Sequence, residues 1–257
     1  MSDTIDIAVI GGTGLYRLAA LESPEALSLE TRYGAPSGPL RVGMLGGRRV
    51  AFLARHGESH SVAPHRINYR ANVQALADAG VRCIVAVNAV GGITEAMGPR
   101  VLALPDQLID YTHGRIASFC DEEGAEVVHV DFGEPYDASL RRKLLDAALT
   151  AEVALVDGGV YGCTQGPRLE TSAEIERMRR DGCDLVGMTG MPEAALAREA
   201  GIPYASLCIV ANWAAGCDPA IHQDAPHEIT MQEVLDNVSA ATARVPALLR
   251  ELLSRLD

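Results

Sequence analysis

The apolar run Ile5-Asp-Ile-Ala-Val-Ile10 stops abruptly at Gly11-Gly12-Thr13-Gly14. Five of its six residues are apolar, the mark of a strand covered on both faces, as in the parallel sheet of an α/β fold. The glycines admit backbone conformations closed to other residues and leave amide N–H groups uncovered, and Thr13 adds a hydroxyl. Such a turn suits an anion, phosphate above all. It serves equally as a plain strand-to-loop connection. It is not a dinucleotide fingerprint, because Arg17 stands at the place of the third glycine, nor a P-loop, because no Gly-Lys-Ser/Thr follows.

Strand-like runs alternate with helical ones from there onward. Strands are expected at residues 50–54, 83–87, 155–161 and 204–211. Helices are expected at 68–79, closed by Gly80, and at 139–149. Thr171-x-x-Glu174 is a capping box that opens a helix ending near Gly182. Pro192 suits the first turn of a further helix, which Gly201 terminates. Thr230-x-x-Glu233 then opens one long terminal helix, apolar at 231, 234, 235, 238, 245, 248, 249 and 252 and bent at Pro246. With no repeat or linker, the expectation is a single α/β domain over residues 1–257, its mixed, largely parallel twisted sheet flanked by helices. A chain of 257 residues is long enough to bury a sizeable core.

The formal charge of −12 argues against nucleic acid and anionic membranes as partners. An anion bound here must be held by a few local cations and amides against the overall field. No run approaches the roughly 18 apolar residues of a membrane span. The first residues lack a basic-then-apolar leader, so a cytoplasmic location is expected. The six cysteines contain no CxxC pair and are expected as reduced, buried thiols. His56, His60 and His65 cluster, but Pro64 breaks any shared helical face, and no metal site is expected.

Three groups of residues could carry chemistry. Arg55-His56 follows an apolar strand; guanidinium is the preferred fork for phosphate oxygens, and imidazole can donate a second bond. Thr13, Asn88-Ala89 and Thr189 in Gly187-Met-Thr-Gly190 lie in further turns suited to anions. Each also reads as an ordinary surface or turn residue. In Gln165-Gly-Pro-Arg-Leu-Glu-Thr171, Glu170 precedes a helix, where an acid is favourable in any case. Asn212, at the end of a buried strand beside the lone Trp213, can donate and accept at once.

Taken in order, Gly-Gly-Thr-Gly, Leu-Ala-Arg-His-Gly, Asn-Tyr-Arg-Ala-Asn, Gly-Pro-Arg, Met-Thr and the terminal helix resemble the trimeric purine nucleoside phosphorylase family, in its methylthioadenosine phosphorylase branch. The resemblance runs over residues 5–253. It implies a homotrimer that cleaves a purine N-glycosidic bond with inorganic phosphate as co-substrate and neither metal nor organic cofactor. It implies phosphate contacts from Thr13, Arg55, His56, Asn88, Ala89 and Thr189, with Asn88 standing where that branch usually carries Thr. Met188 would lie along the ribose, and Ala89, Val90, Gly91 and Leu169 would flank the purine. Met231, Val234 and Leu235 match the apolar surround of a methylthio group, although plain core packing would explain them too. His129 matches a histidine contributed by a neighbouring subunit.

The departures from that branch are informative. It grips adenine with an Asp-x-Asp pair where this chain has Asn212 and Ala214, and it carries Ser where this chain has Glu170. Phosphorylases of 6-oxopurines carry Glu and Asn at these places. The chemistry agrees: an ionised Glu170 accepts from hypoxanthine N1–H but repels the bare N1 of adenine, and Ala214 offers no acceptor for an amino group. A 6-oxopurine grip joined to an apolar 5′ pocket leads to 5′-methylthioinosine as the expected substrate. Asn212 and Glu170 would act on the base, and His56 with Arg55 on the phosphate. Methylthioadenosine phosphorylase, inosine or guanosine phosphorylase, a water-using nucleosidase and a non-catalytic purine sensor are the competing readings.

Overall fold

The alternation of the opening run decides where the sheet lies. In the computed structural model, which describes residues 4–121, 124–219 and 229–256, the run forms β1 (Ile7–Gly11), buried along its whole length. Ile7 and Val9 enter one core while Ala8 and Ile10 enter another, so both faces of the strand are covered and no polar face is needed. It pairs in parallel with β4 (Arg48–Ala54) and β5 (Ile84–Gly92).

Around this centre the described residues form an eleven-stranded sheet. β2 (Glu22–Leu27) and β3 (Leu40–Leu45) extend it antiparallel beyond β4. On the other side lie β6 (Leu102–Leu104), β7 (Gln107–Asp110), β8 (Val156–Asp157), β9 (Val160–Cys163), β10 (Leu185–Gly187) and β11 (Tyr204–Trp213). β5 is the hinge of the sheet: it runs parallel to β11 along most of its length, and its last residues pair antiparallel with β10. The mixed, largely parallel sheet expected from the sequence is therefore present.

Helices cover both faces. α2 (Ala138–Thr150), α5 (Met231–Thr242) and α6 (Val245–Leu253) bury Leu144, Val238 and Leu249 against one face. α1 (Tyr69–Asp78) and α4 (Glu193–Glu199) set Leu76 and Ala197 against the other. α3 (Ser172–Arg180) packs Ile175 and Met178 beside Val186 and Ala214. Thr171 and Glu174 form the expected capping box, and Thr230 caps α5 by accepting from the Glu233 amide; each cap contributes about 1 kcal/mol.

Two expectations are corrected. The terminal helix is two helices, not one bent at Pro246. Pro246 lies in the first turn of α6, because inside a continuous helix its ring would clash with a carbonyl one turn back and a hydrogen bond would be lost. The strand expected over 155–161 is split into β8 and β9 by Gly158 and Gly159, both at positive φ. No helix among the described residues is long and apolar enough to cross a membrane.

Candidate active site

The carboxyl ends of β1, β4, β5, β10 and β11 open onto one cavity of about 440 Å³. Gly12 and Thr13 follow β1, Arg55 and His56 follow β4, and Ala89, Val90 and Gly91 come from β5. Gly187, Met188 and Thr189 come from β10 and its turn, and Asn212 from the end of β11. Ligands of open α/β sheets gather at such strand ends. Pairing of β11 with β5 slips one register step between Val210 and Asn212; a bulge of this kind re-aims the side chains beyond it.

One end of the cavity is built on a buried ion pair. The Arg55 side chain is completely buried, donating from Nε and Nη2 to the two Glu193 oxygens at 2.7 and 2.9 Å and from Nη1 to the Val87 carbonyl at 3.1 Å. Tyr204 Oη donates to the same carboxylate at 2.9 Å. Burial alone would lower the Arg55 pKa, but the Glu193 charge and hydrogen bonds raise it, so the cation is permanent. Gly12 sits hard against this group: a Cβ there would come within 3.0 Å of Arg55 Nη1 and 2.9 Å of the Val87 carbonyl. The glycine loop is thus required for the backbone to approach the guanidinium.

His56 is nearly buried, and its Nδ1 lies 2.8 Å from the Val62 carbonyl. A carbonyl only accepts, so Nδ1 carries the hydrogen. Burial pushes the imidazole pKa down to about 4, with the Arg55 and His60 charges acting in the same direction and the Val62 bond opposing. The ring without a bound anion is therefore neutral at pH 7, with Nε2 as its acceptor. It fits a phosphate that still carries a P–OH.

Asn88 needs a second correction. It does not line the cavity but lies fully buried behind it. Its Oδ1 accepts from Thr189 Oγ1 at 3.0 Å and its Nδ2 donates to Ser206 Oγ at 2.7 Å. Asn88 therefore orients Thr189, which does line the cavity. The Gly187-Met-Thr-Gly190 turn wraps the buried Tyr161 ring, and a Cβ at either glycine would approach it to 2.3 Å or less. Its glycines answer to packing as much as to an anion.

The other end is built from loops. Leu169 and Glu170 from the β9–α3 connection and Ala214 and Ala215 after β11 line it, together with Ile229, Thr230, Met231 and Val234 at the start of α5. Asn212 Nδ2 donates to the Trp213 carbonyl at 2.7 Å, which leaves its second amide hydrogen and its Oδ1 for a ligand. Thr164 Oγ1 donates to Glu170 Oε1 at 2.6 Å. Asn237 anchors α5 by donating to the Ala211 carbonyl at 2.8 Å.

Leu235 does not line the cavity, since it is turned about 100° from Val234 on the helix. His129 is exposed on a separate loop and does not line it either. Three residues that hold the site went unseen in the sequence: Glu193, Thr164 and Arg115. Arg115 binds the Thr164, Gln165 and Met191 carbonyls and so fastens the β9–α3 connection to the turn after β10. Only Glu193 left a sequence signal, a lone acid inside Met191-Pro-Glu-Ala-Ala-Leu196. All six thiols are free, and among the described residues no group of His, Cys, Asp or Glu gathers as metal ligands.

Comparison with known proteins sets this geometry in context. Residues 6–254 match the phosphorylase superfamily. The chain is 64% identical over 251 residues to a probable S-methyl-5′-thioinosine phosphorylase of Xanthomonas campestris, covering 98% of each chain. It is 42% identical to the 6-oxopurine nucleoside phosphorylase of Pyrococcus furiosus, covering 95% of this chain and 94% of that one. Among solved structures, methylthioadenosine phosphorylase from Schistosoma mansoni in complex with adenine matches with a TM-score of 0.89 at 29% identity, covering 98% of this chain and 92% of that one.

Proposed function

Because this chain belongs to the phosphorylase superfamily, we propose that it cleaves S-methyl-5′-thioinosine with inorganic phosphate, giving hypoxanthine and 5-methylthioribose 1-phosphate. One observation carries the reading: Glu170, Asn212 and Ala214 line the same cavity as Thr13, Arg55, His56 and Thr189. The names of relatives such as that of Xanthomonas campestris support it.

In this reading the Thr13 loop, Arg55, Ala89 and Thr189 hold the phosphate, and a P–OH donates to His56 Nε2. Phosphate attacks C1′ as the glycosidic bond lengthens, and its charge stabilises the cationic ribosyl group. Electrons of the broken bond pass to the purine, where the Asn212 amide donates to N7 or O6 and Glu170 accepts from N1–H. Holding both reactants in line supplies much of the acceleration. Val90, Gly91 and Leu169 flank the base, Met188 the ribose, and Met231 and Val234 the methylthio group. No metal or organic cofactor enters this scheme.

The proposed assembly is a homotrimer in which His129 reaches a neighbour's 5′ pocket. Val127 and Val128, on the loop that carries His129, are mostly exposed, as is Ile116, and a subunit contact would cover such apolar residues. A reaction that consumes phosphate and releases hypoxanthine belongs to cytoplasmic purine salvage. The test is turnover of methylthioinosine, methylthioadenosine and inosine, each with and without phosphate. Methylthioinosine should be preferred and every turnover should need phosphate. Release of base without phosphate would overturn the scheme, and preference for inosine would favour the 6-oxopurine nucleoside activity instead.

A further inference from the structure

Glu170 forms part of the wall between two cavities. On one side is the proposed base pocket. On the other is a polar cavity of about 640 Å³ whose lining includes Thr164, Gln165, Arg168, Glu174 and Arg177. Glu170 is half-buried, on a connection whose neighbours Arg168 and Leu169 are exposed. A carboxylate in such a place has room to swing away from the base, toward the arginines of the second cavity.

Thr164 opposes that swing, and it is itself fixed. It is buried, its amide donates to the Gly187 carbonyl at 2.8 Å, and its own carbonyl accepts from Arg115 Nη2 at 3.1 Å. Its hydroxyl lies 2.6 Å from Glu170 Oε1 and 3.3 Å from the Gly187 carbonyl; with a single hydrogen, the shorter contact to the carboxylate is the bond it makes. Nearby, Arg168 is engaged by both oxygens of Glu174 at 2.7 and 2.8 Å.

We infer that Thr164 is a specificity-determining residue, whose hydroxyl holds the Glu170 carboxylate in place to face N1–H of a 6-oxopurine. A donor committed to Oε1 leaves Oε2 for the base. The bare N1 of adenine offers that oxygen no hydrogen. Thr164 therefore acts through Glu170 on the choice between oxo and amino purines, without touching either. The inference rests on the proposed role of Glu170 and adds to it the device that fixes its aim.

The experiment compares kcat/KM for methylthioinosine and methylthioadenosine at saturating phosphate in T164V, T164S, T164A and E170Q. T164V keeps the shape and removes the donor. It should lower the oxo-to-amino ratio roughly tenfold, as expected for loss of a hydrogen bond to a charged group, with the loss lying mainly in KM for methylthioinosine. T164S should restore the ratio, and the phosphate KM should stay constant throughout. T164A repeats the measurement should T164V not fold. If the ratio survives in T164V and T164A but collapses in E170Q, Thr164 merely packs and the inference fails while the reading of Glu170 stands. If E170Q also keeps the ratio, the reading of Glu170 falls and the inference with it.

Discussion

At the proposed anion end of the cavity Arg55, Asn88 and Glu193 are wholly buried and each is already paired, while at the proposed base end Leu169 and Met231 are 50% and 65% exposed and Glu170 is only half-buried. In the first group Arg55 follows the end of β4, Asn88 lies within β5 and Glu193 opens α4, all fixed by the core on both faces of the sheet. The second sits on a connecting loop and the opening turn of α5. A phosphate site must put several donors in place before its ligand arrives, because reorganising charged groups at the moment of reaction is costly. A base site must distinguish ring edges, and a few substitutions on loops alter it without disturbing the sheet. Rigidity therefore accompanies the shared chemistry, and accessibility accompanies the choice of substrate.

The hardest blow to this contrast is aimed at Glu193. E193A would strand a buried guanidinium, and breaking a buried pair in this way costs about 3–5 kcal/mol. Urea unfolding should show that loss, and any folded enzyme should fail to saturate with phosphate. E193Q, which keeps the shape, should lose less stability but still raise the phosphate KM. A fully stable E193A would mean that the anion end is not preorganised as described.

Acid should strike the same end next. His56 has a native pKa of about 4 against 6.5, so between these values the unfolded chain binds the extra proton. Stability from this group is intact above pH 6.5 and declines as pH falls toward 4, by roughly 3 kcal/mol at most for a shift of this size. Denaturant unfolding at pH 7 and 4.5 should show the decline, and H56N should flatten it.

These buried partners also mark what sequence could and could not convey. β1 was legible because burial on both faces leaves only apolar residues, and the capping box at Thr171 because it is a local bond. The cavity-lining residues Arg55, Glu170 and Asn212 were legible through their motifs. Glu193 lies 138 positions from Arg55, and a hydroxyl such as Thr164 is as common in turns as in sites, so neither pairing has a local signature. Asn88 was placed in the right region but on the wrong layer, since β5 does not stop before it but runs on to Gly92, and successive strand residues face opposite sides. The break before α6 was hidden because Pro246 suits a helix start as well as a bend.

Specificity changes should be confined to the loop end. Replacing Glu170 by Ser, Asn212 by Asp and Ala214 by Asp together should move preference toward methylthioadenosine, each mismatch being worth about 1–3 kcal/mol. The phosphate KM should hardly change. A triple variant that lost phosphate binding instead would show that the two ends are coupled and erase the distinction drawn between them.

The mildest effect is expected from Met231. Its side chain lines the cavity from the first turn of α5 while remaining largely exposed, so only part of the roughly 1.5–3 kcal/mol available from burying a Met side chain is at stake. M231A should therefore lower kcat/KM for methylthioinosine by about threefold, since 1.4 kcal/mol corresponds to tenfold and well under half the side chain is covered. Inosine, which has a hydroxyl in place of the methylthio group, should lose nothing, because that hydroxyl draws no benefit from an apolar wall. Equal losses on both substrates would instead assign Met231 to holding α5 in place, a task shared with Asn237. The 5′ preference would then rest on Val234 and on residues delivered by a neighbouring subunit of the proposed trimer.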